Sequence, residues 1–147
     1  VAADEVSIRW ARTQDELARA LAIRERVFCE EQGVARELEL DGLDSACEHL
    51  LALPADATEA VGTLRLHTAG AIARIGRLAV ERDWRRRGIA SQLLARALHR
   101  ARQQGCRRVR LAAQIDAQRL YENAGFAVES APFEEAGITH VWMARAL

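Results

Sequence analysis

Apolar residues follow two rhythms along this chain. In VSIRWA, residues 6 to 11, β-branched and aromatic side chains alternate with polar ones, which predicts a strand. TQDELARALAIRERVFCEE follows, with Leu17, Leu21 and Phe28 on an apolar stripe at helical spacing. Thr13, with Glu16 three residues on, makes a capping box, so a helix is expected from there to a stop at Gly33. Residues 33 to 46 are acidic and irregular, with room for a short second helix. Three strands are predicted next: CEHLLAL at 47–53, EAVGTLRLHT at 59–68 and AIARIGRLAV at 71–80, with turns at 54–58 and 69–70. Alternation puts Leu64, Leu66 and Thr68 on one face and Arg65 and His67 on the other. Over 87–104, Ile89, Leu93, Ala97 and Ala101 recur every four residues, and Leu94 and Leu98 widen the stripe, so a second helix is expected before Gly105. RRVRLAA at 107–113 reads as a strand. Asp116 can cap a short helix through Asn123, followed by Gly125. FAVESAPF and THVWMARA make a closing strand pair around 134–138. The order predicts a mixed α/β sheet.

Composition narrows the class. A chain of 147 residues suggests one domain, 1–147, that buries roughly 70% of its unfolded surface. No apolar run approaches the ~20 residues of a membrane span. The opening VAADEVSIRW lacks a basic n-region and a long apolar h-region, so it does not read as a signal peptide. Without an initiating methionine it reads as a processed or trimmed end, or an excised domain. Cys29, Cys47 and Cys106 are odd in number and have no metal-ligand spacing, which favours reduced thiols, buried as small hydrophobes, in a cytoplasmic protein.

The net charge is zero, which argues against a general nucleic-acid binder. Yet the charges are polarised. Residues 30 to 48 hold seven acids against Arg36 alone; residues 82 to 87 hold four arginines against Asp83. The arginines precede a helix start at Gly88-Ile89-Ala90, where unpaired N–H groups and the dipole attract anions. Gly88 lets a ligand approach the backbone and Ala90 keeps the next turn slim. A phosphate or pyrophosphate site is one reading. A solvated basic turn before an amphipathic helix is the other.

LAVERDWRRRGIA resembles the acetyl-CoA signature of the GCN5-related N-acetyltransferases (GNAT family), an L-x-V strand end followed by Q/R-x-x-G-x-G/A. Arg85, Gly88 and Ala90 fill the defined positions, and Leu78 to Val80 the strand end. A proline common in the family is Arg82 here, and a frequent glycine is Arg86. LYENAGF, residues 120 to 126, is similar to the family's late tyrosine helix; Gln114, seven residues before Tyr121, stands where many members have asparagine. VFCEEQGV, LELDGLD, HLLAL, AAQ and EEAGITHVWM look like the ElaA-like branch, with its F-x-x-E-Q, E-x-D-G-x-D and G-I-x-H stretches.

The resemblance implies a GNAT-like acyl-CoA N-acyltransferase fold: a single-domain α/β protein with a mixed, mostly antiparallel central sheet flanked by helices. It implies acetyl transfer from acetyl-CoA, without a metal, to a primary amine by direct attack on the thioester. The strand end Leu78, Ala79 and Val80 is expected to splay from its neighbour and pair with the pantetheine arm. A backbone N–H near Val80 would polarise the carbonyl. The loop Arg85, Arg86, Arg87, Gly88, Ile89, Ala90 and Ser91 would hold the pyrophosphate, with Gln114 also on the cofactor side. Tyr121 is the expected general acid, against the alternative of a core tyrosine.

For the amine's proton, Glu31 is the first choice and Glu30 the second, with His49 and His140 as alternates; a solvated helix end is the competing reading of both glutamates. Glu30, Asp41 and His140 are candidate acceptor-binding residues, though Asp41 and Asp44 can also simply shape the turn at Gly42. The histidines are otherwise ordinary strand residues, and Trp10, Trp84 and Trp142 are expected to pack rather than stack. The acidic pole would favour a small cationic amine. Neither nucleic acid nor membrane is an expected partner, and a homodimer is left open. The competing function is a non-catalytic acyl-CoA sensor or interaction module on the same fold. An arginine-rich RNA binder is weakened by the neutral charge and the lack of interleaved aromatics.

Overall fold

The computed structural model describes residues 5–147; residues 1–4, the start of the stretch that does not read as a signal peptide, lie outside the described residues. Eight strands form one sheet: β1 (Val6–Trp10), β2 (Glu48–Pro54), β3 (Gly62–Ala69), β4 (Ile72–Val80), β5 (Arg108–Gln114), β6 (Ala127–Val128), β7 (Phe133–Glu135) and β8 (Ile138–Ala146). The order across it is β1-β2-β3-β4-β5-β8-β6, and β7 also pairs with β8. Only β4 and β5 run parallel. The α-helices are α1 (Gln14–Arg24), α2 (Arg36–Glu39), α3 (Ile89–Gln103) and α4 (Gln118–Asn123).

Strand alternation sorts the core into two layers. Leu50, Leu64, Leu66, Ile75, Leu111, Val141 and Met143 pack with the apolar stripe of α3, Ile89, Leu93, Leu94, Ala97 and Ala101. The intervening Leu51, Leu53 and Ala79 face Ala20 and Ile23 of α1. The expected mostly antiparallel sheet between helices is therefore present.

Two details of β4 shape its centre. The parallel pairing with β5 covers only Ile72–Arg74 against Arg108–Arg110. Beyond Arg74 the two strands part, so 75–80 and 111–114 line a gap. On the other side of β4, Thr63 faces Ala79 and Arg65 faces Gly76, so β4 carries one residue more than β3. Arg77 lies within this bulge in the left-handed region, at φ 52°. The extra residue shifts the alternation: Ala73 and Ile75 face α3 before it, Leu78 and Val80 after it.

Several boundaries differ from the sequence pattern. The first helix is capped by Thr13 as expected, its side chain accepting from Glu16 N–H, but it changes to a π-helix over Glu25–Glu31. Its buried side chains are Glu16, Ala20, Ile23 and Arg24, with Val27 beyond, whereas Leu17, Leu21 and Phe28 are only half-buried. Ala20 and Ile23 lie on the sheet with Glu16 and Arg24 buried beside them, and Leu17, Leu21 and Phe28 flank that face. Pro54 ends β2 and also opens the expected turn, its carbonyl accepting from Ala57 N–H. FAVESAPF divides into β6 and the start of β7. Asp116 lies in a 3-10 turn, Ile115–Ala117, and caps nothing; α4 starts after Ala117 without a side-chain cap. Cys106 is buried, Cys29 and Cys47 are half-buried, and all three are free.

Candidate active site

The gap between β4 and β5 opens toward the start of α3. A 3-10 turn, Arg82–Trp84, connects β4 to this loop. Arg86 (φ 64°) and Gly88 (φ 78°) are both left-handed, and Gly88 is the N-cap of α3 without any side-chain cap bond. The first amides of α3 are thus left unsatisfied by side chains, as an anion site needs. A Cβ on Gly88 would meet nothing within 4 Å, so this backbone faces open space. α3 comes close to the sheet because Gly62 has no side chain: a Cβ there would lie 3.1 Å from Ile89 Cγ2 and 3.2 Å from Leu93 Cδ1.

The loop arginines have separate partners. Arg85 donates from Nε to the Val80 carbonyl at 2.9 Å, and its two terminal nitrogens hold Glu31 at 2.7 and 2.8 Å. Arg26 bonds Glu81, a second tie between the π-helix and the end of β4. Arg87 lies over the Trp84 ring at 4.7 Å and donates to the Asp83 carbonyl. Arg86 is exposed. Ser91 is exposed and Ala90 half-buried on the first turn of α3.

Tyr121, on α4, is buried in the same cluster as Ile89, with Leu78 and Val80 packed against it. Its ring meets Phe126 edge-on at 6.2 Å. Burial pushes its phenol up to about 12, so the group stays protonated. Among the described residues its hydroxyl makes no hydrogen bond.

The opposite face of the gap is polar. Gln114, the last residue of β5, donates to Gln32 at 2.9 Å and pairs across the sheet with His140 of β8. His140 is buried, stacked on Phe133, which stacks in turn on Trp142. Trp10 and Trp84 pack against the core as expected, but Arg74 and Arg110 also lie over the Trp142 ring and Arg100 over Trp10, so these rings stack on cations as well. Sequence reasoning gave no role to Gln32 or Phe133, although Gln32 is the last letter of the F-x-x-E-Q stretch.

The expected base meets a physical obstacle. Glu31 is gripped by Arg85, whose hydrogen bonds and charge hold its carboxyl below the usual range, so it is a poorer proton acceptor than a free carboxylate. Glu30 is exposed. Asp41 lies in a closed ring of alternating charges. Glu39 is bound by Arg24 and Arg77, Asp44 by Arg24 and Arg65, and Asp41 by Arg65 and Arg77. Arg65 beside it pulls the Asp41 carboxyl well below the ordinary range. Three arginines cancel three of the seven acids, and Glu31 and Glu48 pair with Arg85 and Arg100, so most of the acidic pole is internally neutralised. His49 donates from Nε2 to the Asp44 carbonyl at 2.9 Å, beneath the ring. Among the described residues no group of three His, Cys, Asp or Glu side chains could hold a metal ion.

Comparison with known proteins agrees with this geometry. Residues 14–147 match the acetyltransferase (GNAT) domain. A protein of Lactobacillus plantarum is 31% identical, with TM-score 0.89 over 97% of this chain and 99% of its own. Escherichia coli ElaA is 26% identical (TM-score 0.83, 95% and 99% covered), and an acyl-CoA N-acyltransferase from Pseudomonas aeruginosa 29% (0.83, 97% and 100%). The ElaA-like branch expected from the motifs therefore does not stand out from other relatives. With the family model spanning nearly the whole length, the chain belongs to the GNAT acetyltransferase family.

Proposed function

We propose that this single domain transfers an acetyl group from acetyl-CoA to a primary amine by direct attack. One observation carries the reading: the gap between β4 and β5 meets an uncapped, open helix start at Gly88. Along 78–80, β4 pairs with β3 but has no strand partner on its β5 side, an edge that suits the amides of a pantetheine arm, and the amides of 88–91 suit a pyrophosphate. Arg85, Arg86 and Arg87 add positive charge, and Gln114 lines the other side of the gap. Tyr121, kept neutral by burial, would protonate the leaving thiolate. Glu31 acts as the anchor of Arg85, and through it of the Val80 carbonyl, rather than as the base.

The acceptor is a small amine. Of the acidic pole, Glu30 and Glu37 have no ion pair among the described residues, and a cationic preference rests on them. On its motifs we place the chain in the ElaA-like branch, and on its odd set of free cysteines in the cytoplasm. Among the described residues, no helix is long and apolar enough to cross a membrane. The rival reading, an acyl-CoA sensor, shares the cofactor site and differs only in turnover.

Two measurements test this. Calorimetry should detect CoA binding to the wild type and none to Gly88→Asp, whose carboxylate would occupy the open space before the helix start. Wild-type affinity in that variant, with its melt intact, removes the phosphate assignment. Release of CoA thiol on adding amines separates enzyme from sensor.

A further inference from the structure

We propose that His140 takes the proton of the incoming ammonium on Nε2, a role that rests on the acyl-transfer reading above. The Nδ1 atom lies 2.7 Å from the Ile138 carbonyl oxygen. A carbonyl only accepts, so Nδ1 carries the hydrogen, and the neutral ring keeps a bare lone pair on Nε2. The ring is held by its stack on Phe133, at 5.9 Å and 22° between planes. Among the described residues Nε2 has no hydrogen-bond partner, yet it is not among the polar atoms sealed in the interior.

Position agrees with chemistry. Gln114 lines the gap, and His140 sits directly opposite it on the next strand, about 5 Å away at Cβ. Strand parity places His140, Trp142 and Gln114 on the α1 face, while Tyr121 belongs to the α3 layer. Acid and base would thus act from opposite faces of the sheet, Tyr121 beside the gap and His140 one strand beyond it, next to Gln114.

The alternatives fit less well. The Glu31 carboxylate is held at both oxygens by Arg85. His49 keeps its bare Nδ1 sealed without a partner, and burial disfavours its charged form. Charged groups around the His140 face are Arg74 and Arg110 over Trp142, Glu129 bound to Arg108 and Arg110, Glu134 and Glu135 on β7, and Glu30 and Glu31 beside Gln32.

The step balances. The ammonium gives one proton to Nε2, and the freed nitrogen lone pair forms the C–N bond to the thioester carbonyl. The tetrahedral intermediate breaks its C–S bond, and the thiolate takes the Tyr121 proton. The amide nitrogen's surplus proton restores the phenol. Imidazolium returns its proton to solvent, so one proton is released per turnover.

Nitrogen NMR of the histidine rings tests the tautomer, with His140 assigned by its absence in His140→Gln. An Nδ1–H ring with bare Nε2 is expected, and an Nε2–H ring overturns the proposal. Kinetics use acetyl-CoA with hexylamine, putrescine and glucosamine 6-phosphate: an apolar, a cationic and an anionic acceptor. On the best of these, His140→Gln should lower kcat/KM at neutral pH by roughly 10²–10⁴-fold. It should also remove the acid limb of the pH profile, and the deficit should shrink as rising pH supplies neutral amine. CoA affinity should stay unchanged. His140→Phe keeps an aromatic ring on Phe133 and should lose the same limb. An unaltered profile in either folded variant overturns the proposal and leaves acyl transfer standing. A wild type that binds CoA but acetylates none of the three overturns both.

Discussion

Tyr121 is a phenol without a charged neighbour to lower it. Burial alone moves it up to about 12, so its proton remains available well above neutral pH. Tyr121→Phe keeps the ring against Phe126 and removes only the hydroxyl. We expect kcat to fall by roughly 10²–10⁴-fold while the melting temperature stays within a degree or two. An unchanged kcat would reduce Tyr121 to a packing residue. Single residues differ in how openly the sequence displays them. Gly88 and Tyr121 stand at motif positions, and Thr13 with Glu16 is a local signature that the structure reproduces. The pairing of Glu31 with Arg85 spans 54 residues, so no window of sequence contains it. A glutamate at a helix end looks solvated until its partner is seen.

Among the elements, α3 and β4 depend most on their neighbours. Gly62 lets the first turn of α3 settle on β3, with Ala52 as the third close atom group. Gly62→Val would push Ile89 and Leu93 outward and carry the Gly88 amides with them. A loss of about 1–3 kcal/mol in chemical denaturation is expected from overpacking. Weaker CoA binding by calorimetry should accompany it, although residue 62 touches no part of the proposed phosphate site. Wild-type CoA affinity in the folded variant would show that the helix start tolerates the shift. The existence of α3 and of most strands follows from apolar period. The π-helix at Glu25–Glu31 does not, because apolar spacing over seven residues does not mark a change of hydrogen-bond step, and its ties to Glu81 and Arg85 are remote in sequence. The bulge left one trace, Gly76 inside an otherwise regular strand. It gave no hint that Arg77 would take the left-handed conformation.

At the scale of the whole molecule, the charged ring joins α1, α2, the turn at Asp44, β3 and β4. Arg24 is fully buried at its centre. Arg24→Met leaves Glu39 and Asp44 short of a cation, which costs about 3–5 kcal/mol, or a melting point lower by roughly 6–20 °C. A smaller shift in thermal melts would mean that Arg65 and Arg77 redistribute to cover both acids. The pH dependence has a definite sign. Asp41 and Asp44 titrate lower in the folded protein than in the unfolded chain. Their contribution is full above the unfolded value, about 4, and is lost as pH falls toward the folded ones. Stability measured by denaturant should therefore decline on acidification below about pH 4, and less steeply in Asp41→Asn. Composition showed these residues as an acidic pole because it records charge along the chain and not across it. The ring also constrains descent. Each of its six members has two opposite neighbours, so a change at position 24, 39, 41, 44, 65 or 77 strands two others. In the protein's lineage, these positions should be inherited as a block and exchanged in compensating pairs, leaving a covarying signature among relatives even where the acceptor changes.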